Sequence, residues 1–120
     1  MTTSSLQATE AASAAVAVAP RVKLADIEAA IADRYHFTAD QPLLVFGIGR
    51  GKQLTAVENL SICLLVMKNG FTVIGKSAPA SPENFNAELG RQYAYEDAVR
   101  QLWPLMGFAL RDRLAAGASS

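Results

Sequence analysis

The sequence predicts an α+β domain: an N-terminal helix, a small antiparallel sheet with an Asn-Gly hairpin, and a C-terminal helical hairpin or kinked long helix. Three observations carry this reading. Leu24, Ile27, Ile31 and Tyr35 recur at helical spacing with charged residues between them. Two apolar, β-branched-rich runs flank Asn69-Gly70. A long helical pattern then follows Ser81-Pro82-Glu83 and carries Pro104 in its middle.

Residues 1–19 read as a flexible lead. Their apolar stretch "AASAAVAVA" resembles a signal-peptide core, but it lacks a basic segment and Glu10 precedes it. One domain is expected over 20–116, with a flexible tail at 117–120. The first helix should start after Pro20, run for about 14 residues, and stop near Thr38–Pro42. "LLVFGI" reads as a short strand, "GRGKQ" as a flexible turn, and "LTAVENL" as helix or loop. The hairpin should place strands at 61–67 and 71–77, joined by a type I′ turn with positive φ at both Asn69 and Gly70. Ile62, Leu64 and Val66 would point to one side, and Cys63, Leu65 and Met67 to the other. Both faces are apolar, so both call for cover: a helix on one, another subunit on the other. Ser81 is a good N-cap and Pro82 suits the first helical position, which predicts a helix from 82 to 102. A second segment opens at Pro104 and continues to residue 115.

Composition narrows the partners. Eleven basic residues balance 11 acidic ones, without the basic excess that a nucleic-acid polymer demands. A small anionic ligand needs only a few well-placed arginines. One cysteine, Cys63, excludes an intrachain disulfide and suits a cytosolic setting. With a single histidine besides, a structural zinc site within one subunit is disfavoured, and no cofactor is implied. No apolar run approaches the ~18 residues of a membrane span. The hydrophobic fraction is 51%, but much of it is alanine near the N-terminus, so the core is modest and would gain from oligomerisation.

Candidate chemistry is sparse. "GIGRGK" (Gly47–Lys52) has Phe46 where a phosphate loop needs glycine, and Gln53 where it needs Ser or Thr. It reads as a glycine-rich turn, with ligand contact by Arg50 or Lys52 as the alternative. His36 reads as a surface or C-terminal capping residue at the end of the first helix. Glu96 and Asp97 diverge by about 100° on a helix and cannot act as one catalytic pair. No nucleophile–base arrangement stands out, so an enzyme is not expected. Asn84, Glu88, Arg91 and Tyr95 share one helical stripe, either a solvated face with a Glu88–Arg91 ion pair or a ligand surface. Gly90, Ala94 and Ala98 form a stripe of small residues that admits close approach of the protein's own sheet or of a second subunit's helix. Arg111 and Arg113 are two apart and point to opposite sides of a helix.

From Ser61 to Leu114 the residues carry a family pattern. Lys68-Asn69-Gly70-Phe71, Ser81-Pro82-Glu83-Asn84-Phe85, Gly90, Ala94-Tyr95-Glu96 and Trp103 stand in place, and "RVKLADIEAAI" resembles the family's N-terminal helix. The chain resembles a family of small phage proteins (gp49/gene 66-like) that includes or resembles the Thoeris anti-defence sponge. That protein sequesters a cyclic ADP-ribose isomer made by bacterial immune enzymes. The resemblance implies an oligomer, a homodimer or a hexamer built as a trimer of dimers, with pockets between subunits. It implies a cyclic ADP-ribose isomer, or a cyclic oligonucleotide of CBASS immunity, bound without cleavage in the host bacterial cytoplasm. Phe85, Arg91 and Tyr95 would surround the base, Asn84 and Asn86 the ribose, and Arg111 and Arg113, one from each subunit, the phosphate. The chain departs from the pattern at Met106 and Phe108, where an acidic residue and a tyrosine are expected. The alternative is a phage protein-interaction module with no small-molecule ligand.

Overall fold

In a computed structural model that describes residues 5–49 and 54–118, a long helix packs on one face of a three-stranded antiparallel sheet. The chain runs α1 (Ser5–Val16), α2 (Leu24–Ala30), β1 (Ile31–Thr38), α3 (Asp40–Val45), α4 (Thr55–Glu58), β2 (Ser61–Met67), β3 (Thr72–Ser77) and α5 (Ala87–Ala118), with a 3-10 turn at Pro82–Asn84. The sheet order is β1-β2-β3.

The hairpin of β2 and β3 forms where the two apolar runs predict it, with Leu64 opposite Ile74. Its turn differs from the expected two-residue form. Only Gly70 has positive φ (+89°), and no non-glycine residue does among those described. Met67 N–H donates to the Phe71 carbonyl and Gly70 N–H to the Met67 carbonyl, both at 2.8 Å. This is the three-residue connection that ends in a left-handed glycine. Asn69 Oδ1 also accepts from Phe71 N–H at 2.9 Å.

The first helix is half as long as expected. α2 ends at Ala30, and Ile31–Thr38 continues as a strand paired with β2, with Arg34 opposite Leu65 and His36 opposite Cys63. The reason lies in "DRYHFT", where polar Asp33, Arg34, His36 and Thr38 are interleaved with Tyr35 and Phe37. Ladder hydrogen bonds to β2 outweigh a helical spacing that Ile31 and Tyr35 satisfy only by coincidence. "LLVFGI" is likewise not a strand: α3 covers Leu43–Val45, and the chain then turns through Gly47 and Gly49 at φ +68° and +73°. Arg50 and Lys52 lie outside the described residues.

Residues 5–16, expected as part of a flexible lead, form α1. Leu6 enters the core, and the Ser5 hydroxyl donates to Glu96 Oε2 at 2.7 Å. Glu10 pairs with Arg21 and accepts from Leu24 N–H at 2.7 Å, satisfying an orphan donor in the first turn of α2. Arg21 and that amide hold the Glu10 carboxyl below the usual range.

α5 is one continuous helix with Pro104 inside it, so the long-helix alternative holds and the helical hairpin does not. Its N-cap is Asn86 rather than Ser81: Leu89 N–H donates to Asn86 Oδ1 at 3.0 Å. Ser81 and Pro82 instead open the 3-10 turn, and Phe85 leaves it in extended conformation. Gly90, Ala94, Ala98 and Leu102 are the buried face of α5 and lie on the sheet. The small-residue stripe therefore serves the protein's own sheet. An added Cβ at Gly75 would fall inside the shell of the Ala94 carbonyl oxygen, and one at Gly90 inside that of Ser61 Oγ. Two α5 side chains also satisfy the outer edge of β3. Gln101 donates to the Ile74 carbonyl at 2.7 Å, and Asp97 accepts from Lys76 N–H at 2.9 Å. Trp103 Nε1–H donates to the Val22 carbonyl at 3.1 Å and ties α5 to the approach to α2.

The core holds Ile27, Leu65, Val99 and Cys63 fully buried, each large aliphatic contributing about 1.5–3 kcal/mol. Ser61, Cys63, Leu65 and Met67 face α5, and Ile62, Leu64 and Val66 face the other way, as the alternation predicts. That second face is left open by the described residues: Tyr35 and Ile74 on it are more than half exposed.

Candidate functional site

Where α5 begins, the chain stacks several polar groups around one aromatic ring. The 3-10 turn closes through Asn84 N–H to the Ser81 carbonyl (3.0 Å) and Phe85 N–H to the Pro82 carbonyl (3.1 Å). The extended Phe85 (φ −62°, ψ 129°) then brings its half-buried ring beside Gly90.

Phe85 and Ser61 line two cavities. One, of about 150 Å³, is bounded by Asn59, Ser77, Asn84, Asn86, Gly90 and Tyr93. The other, of about 270 Å³, is bounded by His36, Thr38, Gln41, Glu58 and Arg91. Four of the seven expected ligand residues thus meet here: Asn84, Phe85, Asn86 and Arg91. Asn84, Asn86 and Arg91 are exposed, and no Glu88–Arg91 ion pair forms among the described residues.

Tyr95 lies one turn further along α5 and is half-buried. The Arg34 guanidinium sits 3.7 Å from its ring centroid, so one face of the ring is already occupied. Burial raises the Tyr95 pKa, chiefly by penalising the phenolate. Arg34 Nε–H also donates to His36 Nε2 at 2.7 Å. Accepting at Nε2 keeps His36 neutral with its proton on Nδ1. That Nδ1 is buried and has no partner among the described residues, a state that costs about 1–3 kcal/mol. Burial, then Arg34 and Arg91, lowers the His36 pKa. His36 is therefore a strand residue beside two arginines, not the helix-capping residue its position suggested.

Arg111 and Arg113 lie twenty and twenty-two residues beyond Arg91 along the same helix, about 30 Å at 1.5 Å per residue. They cannot join the Phe85 cluster within one chain. Arg113 borders an apolar cleft of about 430 Å³ with Met67, Lys68, Phe71, Leu102 and Met106. It also borders one of about 290 Å³ with Arg21, Asp26 and Leu110. The expected residues therefore fall into two groups at opposite ends of α5.

Arg34, His36, Gln41, Glu58, Asn59 and Tyr93 were not anticipated at the site. The alternation Arg34, His36, Thr38 against Tyr35, Phe37 was the available signal for the first two. Glu58 and Asn59 end α4 just before Ser61 opens β2, and they reach the site because β2 carries Ser61 alongside α5. Among the described residues no group of His, Cys, Asp and Glu is placed to hold a metal ion, and no helix is long and apolar enough to cross a membrane.

Residues 22–114, more than half of the chain, match the family model of the phage protein (N4 Gp49/phage Sf6 gene 66) family. No curated protein and no solved structure matches the chain.

Proposed function

Because the chain belongs to the phage protein (N4 Gp49/phage Sf6 gene 66) family, we propose that it is a phage anti-defence sponge, which binds and sequesters a cyclic nucleotide immune signal without cleaving it. The ligand class is a cyclic ADP-ribose isomer of Thoeris defence or a cyclic oligonucleotide of CBASS defence. The resemblance to Thoeris anti-defence sponges suggests it.

One observation carries the reading: Phe85 lines both a cavity edged with carboxamides and one edged with Arg91 and His36. An aromatic face suits a nucleobase. The amides of Asn84 and Asn86 suit ribose hydroxyls, and a guanidinium suits phosphate. Both cavities are smaller than the ~300 Å³ at which ligand sites usually begin. A second subunit completing them fits a homodimer or a dimer-based hexamer, and would let Arg111 or Arg113 of one chain approach the Phe85 cluster of another. The protein acts by stoichiometry in the infected cell's cytoplasm, so it needs nanomolar affinity, about −12 kcal/mol.

The test is titration calorimetry against cyclic ADP-ribose isomers and cyclic di- and trinucleotides, followed by heat release and mass identification of the bound molecule. We expect nanomolar binding, intact release, and at least about a tenfold loss with Phe85→Ala or Arg91→Ala. A chemically altered product would make the protein a hydrolase. Silence across the panel would favour a protein-interaction module, a reading that the bare apolar face of the sheet supports.

A further inference from the structure

The sheet face turned away from α5 is apolar at its centre and charged at two opposite corners. The registers of β1 with β2 and of β2 with β3 lay it out as three rows around Leu64. The first row is Asp33, Val66 and Thr72. The middle row is Tyr35, Leu64 and Ile74. The last is Phe37, Ile62 and Lys76. Tyr35 is 52% exposed and Ile74 57%, so no described residue covers the middle of the face. Asp33 and Lys76 are exposed and form no ion pair among the described residues.

A second copy can lie face to face on this grid through a two-fold axis in the interface, and four axis directions are available. An axis along the strands sets Lys76 on the partner's Phe37. One across the strands sets Asp33 on the partner's Phe37. One diagonal sets Asp33 on the partner's Asp33 and Lys76 on the partner's Lys76. The other diagonal sets Asp33 on the partner's Lys76, twice by symmetry. It also sets Tyr35 on Ile62, Val66 on Ile74, and Leu64, Phe37 and Thr72 each on itself. Only this arrangement keeps apolar groups on apolar groups and opposite charges together.

We propose that two copies of this chain pack through this face with their sheets crossed near 90°, held in that orientation by reciprocal Asp33–Lys76 pairs. The proposal is independent of the ligand: a dimer that ignores every nucleotide leaves it standing and removes only the sponge reading.

Sedimentation of the full chain over a concentration series tests it, with Asp33→Lys, Lys76→Asp and the double swap compared with the parent. The parent is a dimer. Each single swap sets like charges together at two places and weakens the dimer about tenfold or more. The double swap returns it to within about threefold of the parent. Thr72→Cys, on the axis, forms an intermolecular disulfide under mild oxidation, while Cys63 stays buried on the α5 side. A parent that stays monomeric at about 100 μM, or a double swap as weak as the singles, overturns the proposal. Circular dichroism of each variant separates loss of dimer from loss of fold.

Discussion

At the scale of single residues, His36 shows how a strand position changes the chemistry of a side chain. Set between Arg34 and Arg91 and partly desolvated, it titrates below its ordinary value of 6.5. A depressed folded-state pKa contributes stability that is present above pH 6.5 and is lost as pH falls from there through the folded pKa. Urea unfolding of the parent and His36→Gln should therefore diverge below pH 6.5, with the parent losing stability faster. Parallel curves would mean that the imidazole is as free as in the unfolded chain. Gly75 carries a different constraint. It lets α5 sit on β3, and a methyl there would meet the Ala94 carbonyl and lie 2.5 Å from the Ala98 amide nitrogen, both backbone atoms that cannot step aside. Gly75→Ala should cost about 2–3 kcal/mol in urea unfolding. Gly90→Ala should cost less, because the obstacle is the Ser61 side chain, whose hydroxyl can turn, and because alanine gains about 1 kcal/mol in a helix. Equal costs would sink the distinction.

At the scale of elements, α5 is held by its flanks more than by its own sequence. Asn86 caps its start, Gln101 and Asp97 bond to β3, and Trp103 bonds to the Val22 carbonyl. Those attachments carry the helix through Pro104, which has no N–H for the carbonyl one turn back and crowds it. Replacing Pro104, an exposed residue, with alanine should stabilise the domain by about 2 kcal/mol, read as a higher urea midpoint at unchanged slope. No change would mean that the helix already bends enough there to relieve the clash. The Asn-Gly hairpin was legible because its signals are local. The switch from α2 to β1 was not, because Leu24, Ile27, Ile31 and Tyr35 fit a helix until β2 offers its ladder.

At the scale of the whole molecule, the chain is long and thin, with extents of 63 × 32 × 19 Å. Its radius of gyration is 17.8 Å, against about 14 Å for a compact chain of this length. The 32-residue α5 contributes to this, and its residues 111–117 are exposed. Ending the chain at Leu110 should change monomer stability by less than about 0.5 kcal/mol while removing Arg111 and Arg113. A loss above about 1 kcal/mol would show that this arm packs on its own domain. Of the candidate site, the Asn84-Phe85-Asn86 turn and Arg91 could be named from the chain alone, because they lie close together in sequence. Their partners from β1, α3 and α4 could not, since only the sheet brings them alongside.

By itself the sequence determined the hairpin, the alternation of β2, the Pro-interrupted helix and the family. Each rests on contacts a few residues apart, or on a pattern repeated along one element. The tertiary structure decided that residues 31–38 are a strand, that α1 docks, and that Gly90, Ala94 and Ala98 meet Ser61 and Gly75. It also set Arg34 over Tyr95 and the distant arginines at the far end of α5. These outcomes depend on which backbone groups find partners across the fold, and a propensity of a few tenths of a kcal/mol per residue cannot prevail against a ladder of hydrogen bonds and a buried face.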